Sequence, residues 1–260
     1  MKKETREVQF HIRLSREDGL GRYCILPGDP GRCAAIAQYL EEPCHLTTNR
    51  EFCSWKGRLL GEPVAVVSTG IGGPSAAIAL EELAQLGVDT FLRVGTCGGI
   101  RLDVASGDLV VATGAVRMEG TSREYAPIEY PAVPDFTVTA ALRQGALRCG
   151  VTPKLGVVQS KDSFYGQHDP ASMPVADELQ AKWEAWKRLG VLASEMESAA
   201  LFTVAAARGV RCGACFHVIW NQERQAAGLD QAESQDTSTA VRVGIEAIKL
   251  LIQQDKEGIL

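Results

Sequence analysis

The chain has 260 residues, of which 45% are hydrophobic and 23% charged, and 27 basic residues against 32 acidic ones leave a net charge of −5. This composition excludes a disordered, collagen-like or coiled-coil chain. The acidic balance argues against a nucleic-acid coat or a membrane-surface binder and leaves room for a local basic pocket.

At roughly 150 residues per domain the length fits one or two domains, and one α/β domain over residues 1–260 is expected. Such a chain buries roughly three-quarters of its surface, so its core needs neither metal nor disulfide. The leading MKKETREVQF is polar and no apolar stretch follows it, so no signal peptide is expected. No run of about 18 apolar residues occurs, so no membrane span is expected either. The eight cysteines lack framework spacing and read as reduced thiols of a cytoplasmic protein.

Strand and helix patterns alternate along the chain. Tyr23 to Pro27 reads as a strand and Arg32 to Leu40 as a helix. Val64 to Ser68 is a β-branched strand, and Pro74 opens a helix that runs to Leu86, where Gly87 caps it. Strands are expected at Thr90 to Val94 and Leu109 to Thr113, a helix at Val138 to Cys149 and a strand at Leu155 to Gln159. The pattern continues with a helix at Glu178 to Leu189, a strand at Val191 to Ala193, an alanine-rich helix at Glu195 to Arg208, a strand at Cys212 to Trp220 and a helix at Ser238 to Gln253. Strands without polar alternation are buried on both faces, so the expected fold is a three-layer α/β/α domain around a mixed, largely parallel sheet. Residues 166–173 and 222–235 lack a pattern, which suits functional loops.

Open α/β sheets bind ligands beyond the carboxyl ends of their strands. The first strand is followed by Gly28-Asp29-Pro30-Gly31-Arg32, which suits an anion or is simply a tight turn with a surface arginine. The second is followed by Thr69-Gly70-Ile71-Gly72-Gly73-Pro74-Ser75, glycine-rich but without dinucleotide or P-loop spacing. The third is followed by Arg93-Val94-Gly95-Thr96-Cys97-Gly98-Gly99, and an arginine on an apolar strand is costly unless it meets an anion. Two such turns at neighbouring strand ends favour a phosphate pocket.

Glu195 and Glu197 are two residues apart and do not share a helix face, so one can face a pocket while the other stabilises the helix N-terminus, or both can do the latter. Cys212-Gly-Ala-Cys215 lies inside a strand and has neither a second pair nor a histidine cluster beside it. His217 reads as a satisfied core residue. No GxSxG elbow supports serine hydrolysis.

Taken together and in order, ILPGDPGR, NREF, STGIGGPS, EELAQLG, FLRVGTCGGI, SKDSFYGQ and SEMESAALF resemble the uridine phosphorylases of the nucleoside phosphorylase family over nearly the whole chain. The resemblance implies a homohexamer, a trimer of dimers with shared sites, that converts uridine and phosphate to uracil and ribose 1-phosphate. It implies a phosphate site of Gly28, Arg32, Arg93 and Thr96, with Arg50 from a partner subunit. It places ribose at Thr96, Met196 and Glu197 with the partner's His11, Glu195 lying beside them. It places the base at Phe164 and Gln167 against Ile219 and Trp220. Glu51, Ile71 and Ser75 match positions that can hold a potassium ion between subunits, and no other cofactor is implied.

The chain departs from the family pattern where the base is read. The family's arginine two residues after Gln167 is Asp169 here, and a second arginine is replaced by Gln222, with Arg224 two further on. Lys161 is the expected substitute, its ammonium reaching a uracil carbonyl, and His168 is a further candidate donor. Related purine enzymes carry an aspartate in the segment that reads Trp220-Asn221 here, which favours pyrimidines.

Overall fold

The computed structural model describes residues 8–229 and 232–258, so two residues of the patternless 222–235 segment lie outside the described residues. Tyr23–Leu26 forms β1 and Gly31–Ala37 forms α1. A hairpin follows, β2 at Glu41–Asn49 and β3 at Phe52–Leu59, leading into β4 at Glu62–Val67 and α2 at Gly73–Gln85. Next come β5 at Thr90–Gly99, β6 at Leu109–Met118, the short α3 at Thr121–Tyr125 and α4 at Phe136–Arg148. The second half runs through β7 at Lys154–Lys161, α5 at Phe164–His168, α6 at Ala176–Arg188, β8 at Ala193–Glu195 and α7 at Ser198–Arg208. It closes with β9 at Arg211–Asn221, α8 at Gln222–Ala226 and α9 at Ser238–Glu257.

The three layers follow from side-chain alternation. On β1, Cys24 and Leu26 join one apolar cluster with Leu80 and Leu83 of α2 and Leu201 and Phe202 of α7. Tyr23 and Ile25 join the other, with Ile36 of α1, Leu142 of α4 and Ile248 and Leu251 of α9. A strand with both faces covered needs no polar alternation, which is why YCIL reads as one unbroken apolar run.

The nine strands run in the order β2-β3-β4-β1-β5-β8-β7-β6-β9, and β9 also pairs with β5. Five strands, β5, β8, β7, β6 and β9, therefore close on themselves at one end of the sheet. The pairs β1–β4, β1–β5, β5–β9, β6–β7 and β7–β8 are parallel. The pairs β2–β3, β3–β4, β5–β8 and β6–β9 are antiparallel. The sheet is thus more evenly mixed than expected. Closure needs bends, and register shifts occur in β5 beside Cys97 and in β6 between Ala112 and Gly114.

Three local expectations change. Residues 95–99 belong to β5 rather than to a turn after it. Their glycines admit close neighbours instead: a Cβ at Gly95 would lie 3.1 Å from the Phe216 ring, and one at Gly99 would lie 2.6 Å from Asn221. Glu195 ends β8, and α7 begins only at Ser198. The segment 166–173 is helical in part, with α5 capped by Ser163, whose hydroxyl accepts from the Gly166 amide.

Candidate active site

Strands β4, β1 and β5 are parallel neighbours, so the segments leaving β4 and β1 meet the middle of β5. Arg93 pairs in register with Leu26 and is 5% exposed. Its terminal nitrogens donate to Glu197 Oε2 at 2.7 Å and to the Leu26 carbonyl at 3.3 Å. Its Nε is buried and has no hydrogen-bond partner among the described residues.

The other Glu197 oxygen accepts from the Gly72 amide at 2.8 Å. Gly72 has φ 94°, a conformation that glycine adopts without strain. Gly28 sits against the guanidinium, where a Cβ would lie 3.1 Å from both terminal nitrogens of Arg93. The Gly28 carbonyl accepts from the Gly70 amide at 2.9 Å, which ties the two glycine turns together. Arg32 completes the positive cluster: burial lowers its pKa, and Arg93 nearby adds to the lowering. Thr96 lies three residues beyond Arg93 on β5 and is half-buried.

The two carboxylates divide their work. Glu195 accepts from the backbone amides of Glu197 and Ser198 and from the Ser160 hydroxyl, so it secures the start of α7. Burial raises its pKa, and the neighbouring Glu197 charge raises it further. Glu197 faces Arg93 instead. Met196 lies between them, half-buried.

A second row of polar groups starts at the end of β7. Lys161 is 5% exposed, and its Nζ donates to Ser194 Oγ at 2.7 Å. Ser194 donates to Gln167 Oε1 at 2.6 Å, and Gln167 Nε2 donates to Gln222 Oε1 at 3.2 Å. Burial pushes the lysine down to about 8, against the pull of Glu195 and Glu197. Its ammonium stands 5.8 Å from the centre of the Phe164 ring, and that ring lies 4.3 Å from the ring of His168. Burial lowers the pKa of His168, with a contribution from Lys161. A cavity of about 250 Å³ runs along this row, walled by Lys161, Gln167, Gln222, Trp183 and Gln159.

Ile219 and Trp220 are half-buried on β9, ahead of Asn221. Asn221 is fully occupied by structure. Its amide nitrogen donates to the Arg101 and Val104 carbonyls, and its oxygen caps α8 by accepting from the Glu223 and Arg224 amides.

His11 and Arg50 form a separate cluster. His11 Nδ1 lies 2.6 Å from Glu82 Oε1, and the His11 carbonyl accepts from Asn49 at 2.7 Å. Arg50 occupies the exposed tip of the β2–β3 hairpin with φ 55°. Glu51 and Ser75 close on Gly70, where a Cβ would lie 2.8 Å from Glu51 Cγ and 3.2 Å from Ser75 Oγ, beside the exposed Ile71.

Cys212 and Cys215 point into the two different cores, on opposite faces of β9, so they do not face one ligand. His217 is buried and bonded to Ser234 at 2.9 Å. Ser194 is the site residue that sequence reasoning missed, while Gln222 and Gly72 stand in the sequence only as a replaced arginine and as part of a glycine-rich turn. Only the register that sets Ser194 beside Gln159 and Glu195 beside Ser160 reveals the missed serine.

Residues 22–252 match the model of the phosphorylase superfamily. The chain belongs to the phosphorylase superfamily. It is 55% identical to the uridine phosphorylase of Treponema pallidum (strain Nichols) over 249 residues, 96% of each chain. It is 44% identical to the uridine phosphorylase of Escherichia coli (strain K12), over 94% of this chain and 98% of that one. A guanosine phosphorylase of Halorubrum lacusprofundi is 37% identical over 94% of this chain and 99% of its own. The fold of this superfamily member is the mixed α/β arrangement described above, and no helix among the described residues is long and apolar enough to cross a membrane.

Proposed function

We propose that the chain is a pentosyltransferase that catalyses the reversible phosphorolysis of uridine to uracil and ribose 1-phosphate. The observation that carries the reading is the buried contact of Arg93 with Glu197, which sets a cation for phosphate against a carboxylate for sugar hydroxyls at 2.7 Å. The similarity to uridine phosphorylases over nearly the full chain names the nucleoside.

Phosphate binds at Gly28, Arg32, Arg93 and Thr96, with Arg50 reaching in from a second subunit. The orphaned Nε of Arg93 supports this assignment, because a buried donor without a partner costs free energy that an anion would recover. Ribose is held by Thr96, Met196 and Glu197 and by His11 of a second subunit, with Glu195 fixing the turn beneath. The base lies between Phe164 and Gln167, against Ile219 and Trp220.

In the reaction a phosphate oxygen forms a bond to the anomeric carbon as the bond from that carbon to N1 of uracil breaks. The electron pair of the broken bond leaves with uracil, which takes a proton afterwards. Phosphate stabilises the oxocarbenium-like ribose from one side, and the Lys161 ammonium stabilises the uracil anion from the other. Holding both reactants together supplies effective molarities of ~10⁵ M or more. The electron count is closed without a redox or organic cofactor.

The exposed Arg50 and the His11 contacts fit sites completed by a neighbouring copy, and the resemblance to uridine phosphorylases supports a hexamer built as a trimer of dimers, working in the cytoplasm. Glu51 and Ser75 lie against Gly70 and Ser75 Oγ donates to the Ile71 carbonyl at 3.3 Å, and oxygen donors of this kind suit a structural potassium ion between subunits.

The guanosine phosphorylase among the relatives supports a second reading, purine phosphorolysis. Asn221 opposes it, since its amide is committed to the Arg101 and Val104 carbonyls and carries no acidic proton. Base release from uridine, thymidine, inosine and cytidine, each with and without phosphate, separates the readings. Phosphate-dependent release from uridine with inert inosine supports the proposal. Phosphate-dependent cleavage of inosine would replace it.

A further inference from the structure

We infer that Ser194 is a positioning residue: it fixes which end of the Gln167 amide faces the base and couples that amide to Lys161. This rests on the uridine phosphorolysis reading above. The logic is one of donors and acceptors. A lysine ammonium has only protons to give. At the 2.7 Å contact with Lys161 the Ser194 oxygen must therefore accept. Its own proton goes to Gln167 Oε1, at 2.6 Å. An amide NH₂ cannot accept, so the Gln167 atom facing Ser194 is the carbonyl oxygen. Nε2 then lies on the other side, where it meets Gln222 at 3.2 Å.

The Gln167 carbonyl oxygen thus ends a row that starts at the Lys161 charge, with Ser194 accepting from the ammonium and donating to the amide. Each bond in the row points the same way, from ammonium to hydroxyl to carbonyl, and such rows polarise cooperatively. The result is a strengthened Nε2–H donor beside a leaving group that gains negative charge. Gln222 holds that donor until a base carbonyl takes it.

Ser194 is 3% exposed and sits on β8, which its pairing with β7 places beside the end of β7 that carries Lys161. The charged or titratable groups that face Lys161 are Glu195 on β8, Glu197 before α7, Cys97 on β5 and His168 on α5. Among these groups, Ser194 is the hydroxyl that links the lysine to the amide.

The test compares Ser194→Ala and Ser194→Thr in the full chain, with kcat and KM for uridine and phosphate followed from about pH 6 to about pH 10. Ser194→Ala is expected to lower kcat/KM for uridine about tenfold with the phosphate KM unchanged. Its alkaline limb moves to lower pH, because the charged lysine has lost an acceptor. Ser194→Thr keeps the hydroxyl and restores both. An alanine variant with the wild-type limb, or a folded threonine variant that restores neither, overturns the inference.

Crystal structures of the variants give a readout independent of turnover. The Gln167 amide leaves its place in Ser194→Ala and keeps it in Ser194→Thr, and an unmoved amide in the alanine variant overturns the inference. Where the alanine variant does not fold, Ser194→Cys, close in volume and weak in hydrogen bonding, takes its place. Absence of phosphate-dependent uracil release from the wild-type chain would defeat the reaction assigned above, and the crystallographic comparison would still decide the role of Ser194.

Discussion

At Lys161 burial works against a charge that the proposed chemistry uses. The side chain is 5% exposed and its pKa falls from the usual lysine range to about 8. In the proposed mechanism the protonated form stabilises the departing base, so kcat/KM for uridine should fall as pH rises through about 8. Lys161→Ala should lower kcat/KM by at least about tenfold, ~1.4 kcal/mol, and a steady-state assay with near-normal values would remove it from the mechanism. The stability effect has the opposite sign. The folded state releases this proton near pH 8 and the unfolded chain holds it to 10.5, so the cost is fully present below the first value and lifts as pH rises through the window. Denaturant melts of wild type and Lys161→Met should converge or cross over that window, the wild type gaining stability relative to the variant as pH rises. Lys161 was legible in the sequence because it ends a strand just ahead of Phe164, while Asp169 and Gln222 occupy the positions where arginines were expected. Ser194 was not, since a serine in a three-residue strand carries no signal until its neighbours across the sheet are known.

Among the elements, the turns that leave β1 and β4 do the positioning, and glycine makes them possible. A Cβ at Gly28 would meet both terminal nitrogens of Arg93 at 3.1 Å and the Gly70 carbonyl at 3.3 Å. Gly28→Ala should therefore push the guanidinium aside and raise KM for phosphate more than KM for uridine, which steady-state kinetics in both substrates can read. Asn221 shows the structural counterpart. It caps α8 and ties down the Arg101–Val104 segment, so Asn221→Ala should cost about 2 kcal/mol in denaturant unfolding. The turns after β1 and β4 were legible from their glycines, and the structure brings them together beside Arg93. The glycines of residues 95–99 misled, because a run of glycine marks close backbone approach as readily as a turn, and here Phe216 and Asn221 occupy the space. The β2–β3 hairpin also escaped notice. Glu41–His45 of β2 is exposed and the pairing is bulged, so its sequence alternates too weakly to read as a strand.

For the whole molecule, the three layers were legible because strands covered on both faces are apolar without interruption. The closure of β5, β8, β7, β6 and β9 was not, since it depends on β9 pairing with strands on both sides and on register shifts that no local pattern announces. Sites shared between subunits, as proposed, would have a direct consequence. If Arg50 serves a neighbour's phosphate, a mixture of Arg50→Ala and Lys161→Ala chains, unfolded and refolded together, rises above the activity of either variant alone, because some sites then draw both residues intact. Equal activity before and after mixing would place Arg50 outside the partner's site.

The central claim is that phosphate, gathered by Arg32 and Arg93, takes the ribose that leaves uracil. Phosphorus NMR of the protein with uridine and inorganic phosphate tests it most directly. The account predicts that the inorganic phosphate signal converts to that of a sugar 1-phosphate in step with uracil release, and that no uracil appears when phosphate is omitted. Uracil released while the phosphate signal stays constant would contradict it, and would make the same arginines part of a hydrolase.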